Sequence, residues 1–116
     1  MVNLRLILSA ALLLLYSGTS PALTIKDYQD SKTGSRDIRG LASAYVSGMG
    51  AAYTWANSEL ERDHQPTLFC QPRTLALTGD VLGQLLDKEL QNPLYRPEHP
   101  IEAALIFALK RAFPCQ

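Results

Sequence analysis

The chain has 116 residues, 47% hydrophobic and 19% charged, with eleven basic residues against eleven acidic ones and a formal charge of +0. Its length points to one small domain with little stability to spare. No block of like charge occurs, so the basic face by which proteins hold nucleic acid is absent and nucleic acid is not expected as a partner.

The first 22 residues, MVNLRLILSAALLLLYSGTSPA, read as a secretory signal peptide. Arg5 lies in a short polar start, an apolar run extends from Leu6 to Tyr16, and Ser20 and Ala22 occupy the −3 and −1 positions of a cleavage site. The run is shorter than the roughly 20 residues that span a bilayer, so no stable membrane anchor is expected once residues 1–22 are removed. No cysteine follows the run, so a lipoprotein anchor is not indicated. An exported chain with two cysteines is expected to hold one disulfide, Cys70 to Cys115, and a free catalytic thiol is the less favoured reading.

Residues 23–36 are polar and read as a mobile N-terminal arm, with at most a short helical turn near Ile25 to Gln29. The domain proper is expected over residues 37–116. Asp37 can cap a long helix whose apolar positions are Ile38, Leu41, Tyr45, Met49, Ala52, Tyr53, Ala56 and Leu60. Gly40, Ala44, Ser47, Gly48 and Ala51 form a second stripe of small residues, which suits tight internal packing, with a dimer seam around Gly48 as the less favoured alternative. Pro66 and Pro72 break the helix around Cys70.

Thr78 caps a second helix with Val81, Leu82, Leu85, Leu86 and Leu90 on its apolar face, ended by Asn92 and Pro93. A stiff connector, LYRPEHP, follows with Leu94 and Tyr95 exposed. Pro100 opens the last helix, with Ile101, Ala104, Leu105, Ala108, Leu109 and Ala112 along one face and Phe113, Pro114 and Cys115 at its end. With no strand of any length, the fold class is all-α, a small disulfide-linked helical bundle.

The residues offer no catalytic constellation. His64 and His99 sit in loops beside acids and prolines without the further ligands a metal site needs, so neither metal nor cofactor is expected. A glycine-rich phosphate loop would need a strand before it. The reading is a non-enzyme whose surface is its function.

From about Gly40 onward the chain resembles the Rap/Tai family, small periplasmic immunity proteins of Gram-negative bacteria with type VI secretion systems. AYVSGM is similar to the family's helical stretch at Tyr45 and Gly48, and FCQP to its Cys-x-Pro step at Cys70 and Pro72. LGQLLDKELQNP resembles its glutamine-bearing helix, with Gln84, Leu90 and Pro93 in place. AALIFALKRAFPC resembles the closing signature, at Ala108, Leu109, Ala112, Phe113, Pro114 and Cys115. The chain departs from the pattern at Ala44 and Ala51, where the family tends to have Gly and Asp.

The resemblance implies a periplasmic, dimeric, disulfide-bonded helical inhibitor. It would bind a peptidoglycan amidase toxin injected by sister cells and block its cleft. A toxin-free envelope protein of the same scaffold is the alternative. The family signature is mainly structural, so partner-binding residues are chosen on physical grounds. The first candidate is the proline-stiffened connector with Leu94, Tyr95, Arg96, Glu98 and His99, since rigidity lowers the entropic cost of binding. The second is the segment with Glu61, Asp63 and His64.

Overall fold

The computed structural model describes residues 22–116. The expected signal peptide lies outside the described residues, apart from Ala22. The described residues form an all-α bundle of four helices, α1 (Ile25–Ser31), α2 (Arg36–Arg62), α3 (Gly79–Glu89) and α4 (Ile101–Ala112), with no strand among them.

Helix α1 corrects the expectation of a mobile arm. Thr24 and Asp27 close a capping box, Thr24 Oγ1 accepting from the Asp27 amide at 3.1 Å while Asp27 Oδ2 accepts from the Thr24 amide at 3.1 Å. One face of this short helix, Ile25, Tyr28 and Ser31, is buried. The Tyr28 hydroxyl donates to Asp87 Oδ1 of α3 at 2.9 Å. The chain just before α1 is pinned to the connector ahead of α4. The Ile101 amide donates to the Leu23 carbonyl, the Ile25 amide to the His99 carbonyl and the Lys26 amide to the Pro97 carbonyl, each at 2.9 Å. Residues from Leu23 onward therefore belong to the same core as the rest, and polarity misled because only three positions of α1 face inward.

Helix α2 starts under Ser35, whose Oγ accepts from the Ile38 amide at 3.3 Å, while Asp37 sits in the first turn. Its 27 residues make it about 40 Å long, while α3 and α4 have 11 and 12 residues. Shorter partners cannot cover all of it. The buried face is Ala42, Val46 and Gly50, with Met49 and Tyr53 packed against the core. Ile38 and Leu41, expected inside, are 48% and 68% exposed.

The small-residue stripe, apart from Ser47, is likewise not internal. A Cβ added at Gly40 or Gly48 would meet nothing within 4 Å, whereas one at Gly50 would collide with the Leu82 side chain. Gly50 sets the spacing of α2 and α3, and Gly79 at the start of α3 comes close to Ser47, whose Oγ would lie 2.7 Å from an added Cβ.

Helix α3 is capped by Thr78, whose Oγ1 accepts from the Val81 amide at 3.3 Å, and ends at Glu89, three residues before Asn92. Leu82 and Leu86 are fully buried. Helix α4 is the core element. Ile101, Ala104, Leu105 and Leu109 are wholly enclosed and Ala108 nearly so. Ala112, at the end of the expected face, is exposed. Each enclosed Ile or Leu contributes about 1.5–3 kcal/mol from burial.

Cys70 and Cys115 are joined as a disulfide across 45 positions. The loop that carries Cys70 is held by three further ties. Asn57 accepts from the Leu68 amide at 2.7 Å and donates to the Phe69 carbonyl at 2.9 Å, and the Cys70 amide donates to the Phe113 carbonyl at 2.8 Å. Phe69 between them is buried. Opening a loop of that length releases about 4 kcal/mol of chain entropy to the unfolded state. Cys115→Ser should therefore lower the Tm by roughly 15 °C or more, read by circular dichroism under non-reducing conditions. An unchanged Tm would show that the other ties hold the loop without the bond.

Candidate functional site

The connector from Gln91 to Pro100 is fixed at both ends and leaves little freedom between. Asn92 Oδ1 accepts from the Leu94 amide at 3.0 Å and the Tyr95 amide donates to the Asn92 carbonyl at 3.2 Å. A second turn closes over Arg96 to His99, where the His99 amide donates to the Arg96 carbonyl at 3.1 Å and His99 Nδ1 accepts from the Arg96 amide at 3.1 Å. The hydrogen bonds of Pro97 and His99 to α1 then hold this turn against the body. Prolines at 93, 97 and 100 limit the backbone further.

Five expected partner residues lie here and divide into two kinds. Leu94 is 81% exposed, and Arg96 and Glu98 are exposed and face each other at 3.6 Å. Tyr95 and His99 are half-buried and serve the loop itself. The Tyr95 hydroxyl donates to Glu89 Oε1 at 2.6 Å, and Arg111 Nε donates to the same carboxylate at 3.0 Å. Glu89 is buried, so this pair of donors is what makes its charge tolerable. Tyr95 is thus an anchor that ties the end of α3, the connector and the end of α4 together. Its expected exposure is corrected: the spacing Glu89–Tyr95–Arg111 is invisible until α3 and α4 are packed.

Between the connector and α4 lies a concavity of about 400 Å³ whose walls include Leu94, Tyr95, His99, Ala103, Phe107 and Arg111. Phe107 is 47% exposed. The surface is apolar with a guanidinium at its rim, suited to receiving an apolar side chain beside an acidic or carbonyl group. The sequence reading missed Phe107 and Arg111. The signal was there for Phe107: an aromatic residue lies off the apolar stripe of an amphipathic helix, where a solvated side chain is the norm.

The second candidate segment is elsewhere. Glu61, Asp63 and His64 stand at the end of α2, where His64 has a φ of 56°. The His64 amide donates to the Glu61 carbonyl at 3.1 Å and the Gln65 amide to the Leu60 carbonyl at 2.8 Å. That is a Schellman closure with histidine at the left-handed position usually held by glycine. His64 therefore has a structural duty in its backbone. Glu61 and His64 line a separate open hollow of about 770 Å³ that also contains Arg73 and the disulfide. The two candidate segments share no lining residue and sit near opposite ends of α4.

Among the described residues there is no group of three or more His, Cys, Asp or Glu side chains placed to hold a metal ion, and no helix long and apolar enough to cross a membrane. Comparison with known protein families, with curated proteins and with solved structures finds no significant match.

Burial and, second, the Glu89 hydrogen bond push the Tyr95 phenol up to about 12. A phenol raised above its ordinary value near ~10 favours the fold while protonated, so its contribution is present below about pH 10 and fades as the pH climbs through the folded value. Spectrophotometric titration of Tyr95→Phe should lack a component that ionises near pH 12 in the native chain. Loss of a component near pH 10 instead would show Tyr95 open to water and the anchor absent.

Proposed function

We propose that the chain is an exported immunity-type protein that binds and inhibits a secreted peptidoglycan amidase of a type VI secretion system in the periplasm, with no catalytic role of its own. The observation that carries this reading is the connector. It is stiffened by prolines, tied to α1 and through Tyr95 to Glu89, and it raises Leu94 beside the Phe107 groove. A rigid apolar prominence loses little entropy on docking, and a small exported domain clamped by a disulfide can hold it in shape. The ordered resemblance of the Tyr45–Gly48, Cys70–Pro72 and Phe113–Cys115 segments to the Rap/Tai immunity proteins supports the same reading.

Leu94 and Phe107 are the contact residues in this proposal, with Arg96, Glu98 and Arg111 on the rim. Leu94→Ala combined with Phe107→Ala should weaken binding of the amidase about tenfold or more while the Tm falls only modestly, since Leu94 is 81% exposed and Phe107 47% exposed. Affinity would be read by calorimetry on the amidase recovered with the oxidised protein from periplasmic extract. Full affinity in the double variant would move the contact off the connector, and failure to recover any amidase would favour a toxin-free envelope role.

The exposed face of α2 supports self-association as a second contact. Leu41 and Trp55 are 68% and 70% exposed, and the open Gly48 lies between them, so a second helix could come close along the whole face. Sedimentation should then show a dimer at micromolar concentration that Trp55→Glu converts to a monomer. A monomeric native protein would remove this contact.

A further inference from the structure

Glu102 stands in the first turn of α4. One carboxylate oxygen, Oε1, accepts from the Tyr45 hydroxyl of α2. The other, Oε2, is buried and has no hydrogen-bond partner. A buried carboxylate oxygen left unmatched is costly and calls for a partner. The residue across from Glu102's chain neighbour Ile101 is Leu23. The antiparallel bridge between Thr24 and Pro100 and the 2.9 Å bond from the Ile101 amide to the Leu23 carbonyl lay Leu23 alongside Ile101, one residue before Glu102.

The Glu102 hydrogen bond and, second, burial raise the Tyr45 phenol's pKa, and the backbone of Leu23 pulls it the other way. Leu23, the Tyr45 hydroxyl and the Glu102 carboxylate thus meet at the start of α4. Ala22, one residue earlier, is exposed, so the bond between Ala22 and Leu23 stands at the point where the chain leaves this cluster for the surface.

We propose that cleavage after Ala22 completes the fold, because it turns the Leu23 nitrogen into an α-ammonium group that becomes the missing partner of Glu102. The inference rests on the export reading. Hydrolysis of the Ala22–Leu23 peptide bond takes up one water, leaving a carboxylate on Ala22 and an ammonium on Leu23. The amide nitrogen had one N–H and no charge. The ammonium has three, and carries a positive charge at neutral pH. One donor can serve the phenol while another reaches the carboxylate. The precursor, with a neutral amide there, leaves Glu102 Oε2 unmatched and is the less stable form, as suits a chain that must cross a membrane before it folds.

The test is a cycle on two changes. The mature form starting at Leu23 is compared with a form that keeps Pro21 and Ala22, each with Glu102 or Glu102→Gln, and the Tm of all four is measured. The proposal expects the two extra residues to lower the Tm by about 5 °C when Glu102 is present and to have little effect with Gln. An equal drop in both backgrounds would reveal a steric effect, and no drop in either would leave the ammonium without a role; each result overturns the ion pair and leaves export untouched. Intact mass of the protein isolated from periplasm reads processing separately. A chain beginning at Leu23 supports the inference, and an exported chain beginning elsewhere overturns it. A chain that is not exported overturns both the inference and the reading beneath it.

Discussion

The enclosure of α4 is the constraint on which the rest of the structure depends. Four of its side chains, Ile101, Ala104, Leu105 and Leu109, have no contact with solvent, and a single amphipathic helix cannot achieve that alone. Helix α3 covers one side through Leu82 and Leu86, α2 covers another through Val46, Met49 and Tyr53, and α1 closes the gap with Ile25 and Tyr28. Gly50 is what lets α2 and α3 come close enough for this, because any side chain there would displace Leu82. A short N-terminal helix thereby becomes indispensable to a helix at the opposite end of the chain.

Each end of α4 is then held by a different kind of bond. At its start, the hydrogen bonds of Leu23, Ile25 and Lys26 to Ile101, His99 and Pro97 bind the two chain segments as a minimal antiparallel pair. At its end, the disulfide and the Cys70–Phe113 hydrogen bond tie the C-terminus to the loop after α2. The connector before α4 inherits its rigidity from the first clamp and from the Tyr95–Glu89–Arg111 anchor. Stability and surface function are joined here. The residues that steady the connector, Tyr95 and His99, point inward, and the freedom to vary falls to Leu94, Arg96 and Glu98.

The sequence made three of the helices legible because each has an apolar period bounded by a start and a stop signal, as with Thr78, Leu82–Leu86 and the Asn92–Pro93 stop. The pairing of Cys70 with Cys115 was legible because two cysteines leave one choice within a chain. Helix α1 was legible only as a short turn, since Lys26, Asp27, Gln29 and Asp30 outnumber the inward residues in a segment of two turns; the Thr24–Asp27 box was the clue to its ordered start. The exposed state of Ile38, Leu41 and Trp55 could not be read either. Periodicity reports that a face is apolar and says nothing about whether a partner helix is long enough to cover it. Of the connector, exposure of Leu94 was legible and the anchoring of Tyr95 was not, because its partners Glu89 and Arg111 are brought together only by packing.

What remains uncovered on this scaffold follows from a mismatch of lengths. A helix of 27 residues is served by partners of 11 and 12, so α2 must present part of an apolar helix to water whatever else the sequence does. Shortening α2 would remove the excess, but Tyr45 and Tyr53 near its middle bond Glu102 of α4, and Asn57 further along holds the Phe69 loop. The helix needs its length to reach from the start of α4 to the disulfide loop at the other end. The exposed face carrying Leu41, Gly48 and Trp55 is then a consequence of spanning the domain. Small residues along most of that face keep its apolar area modest, and Leu41 and Trp55, the most exposed large side chains of α2, are where a second surface would gain most by covering it.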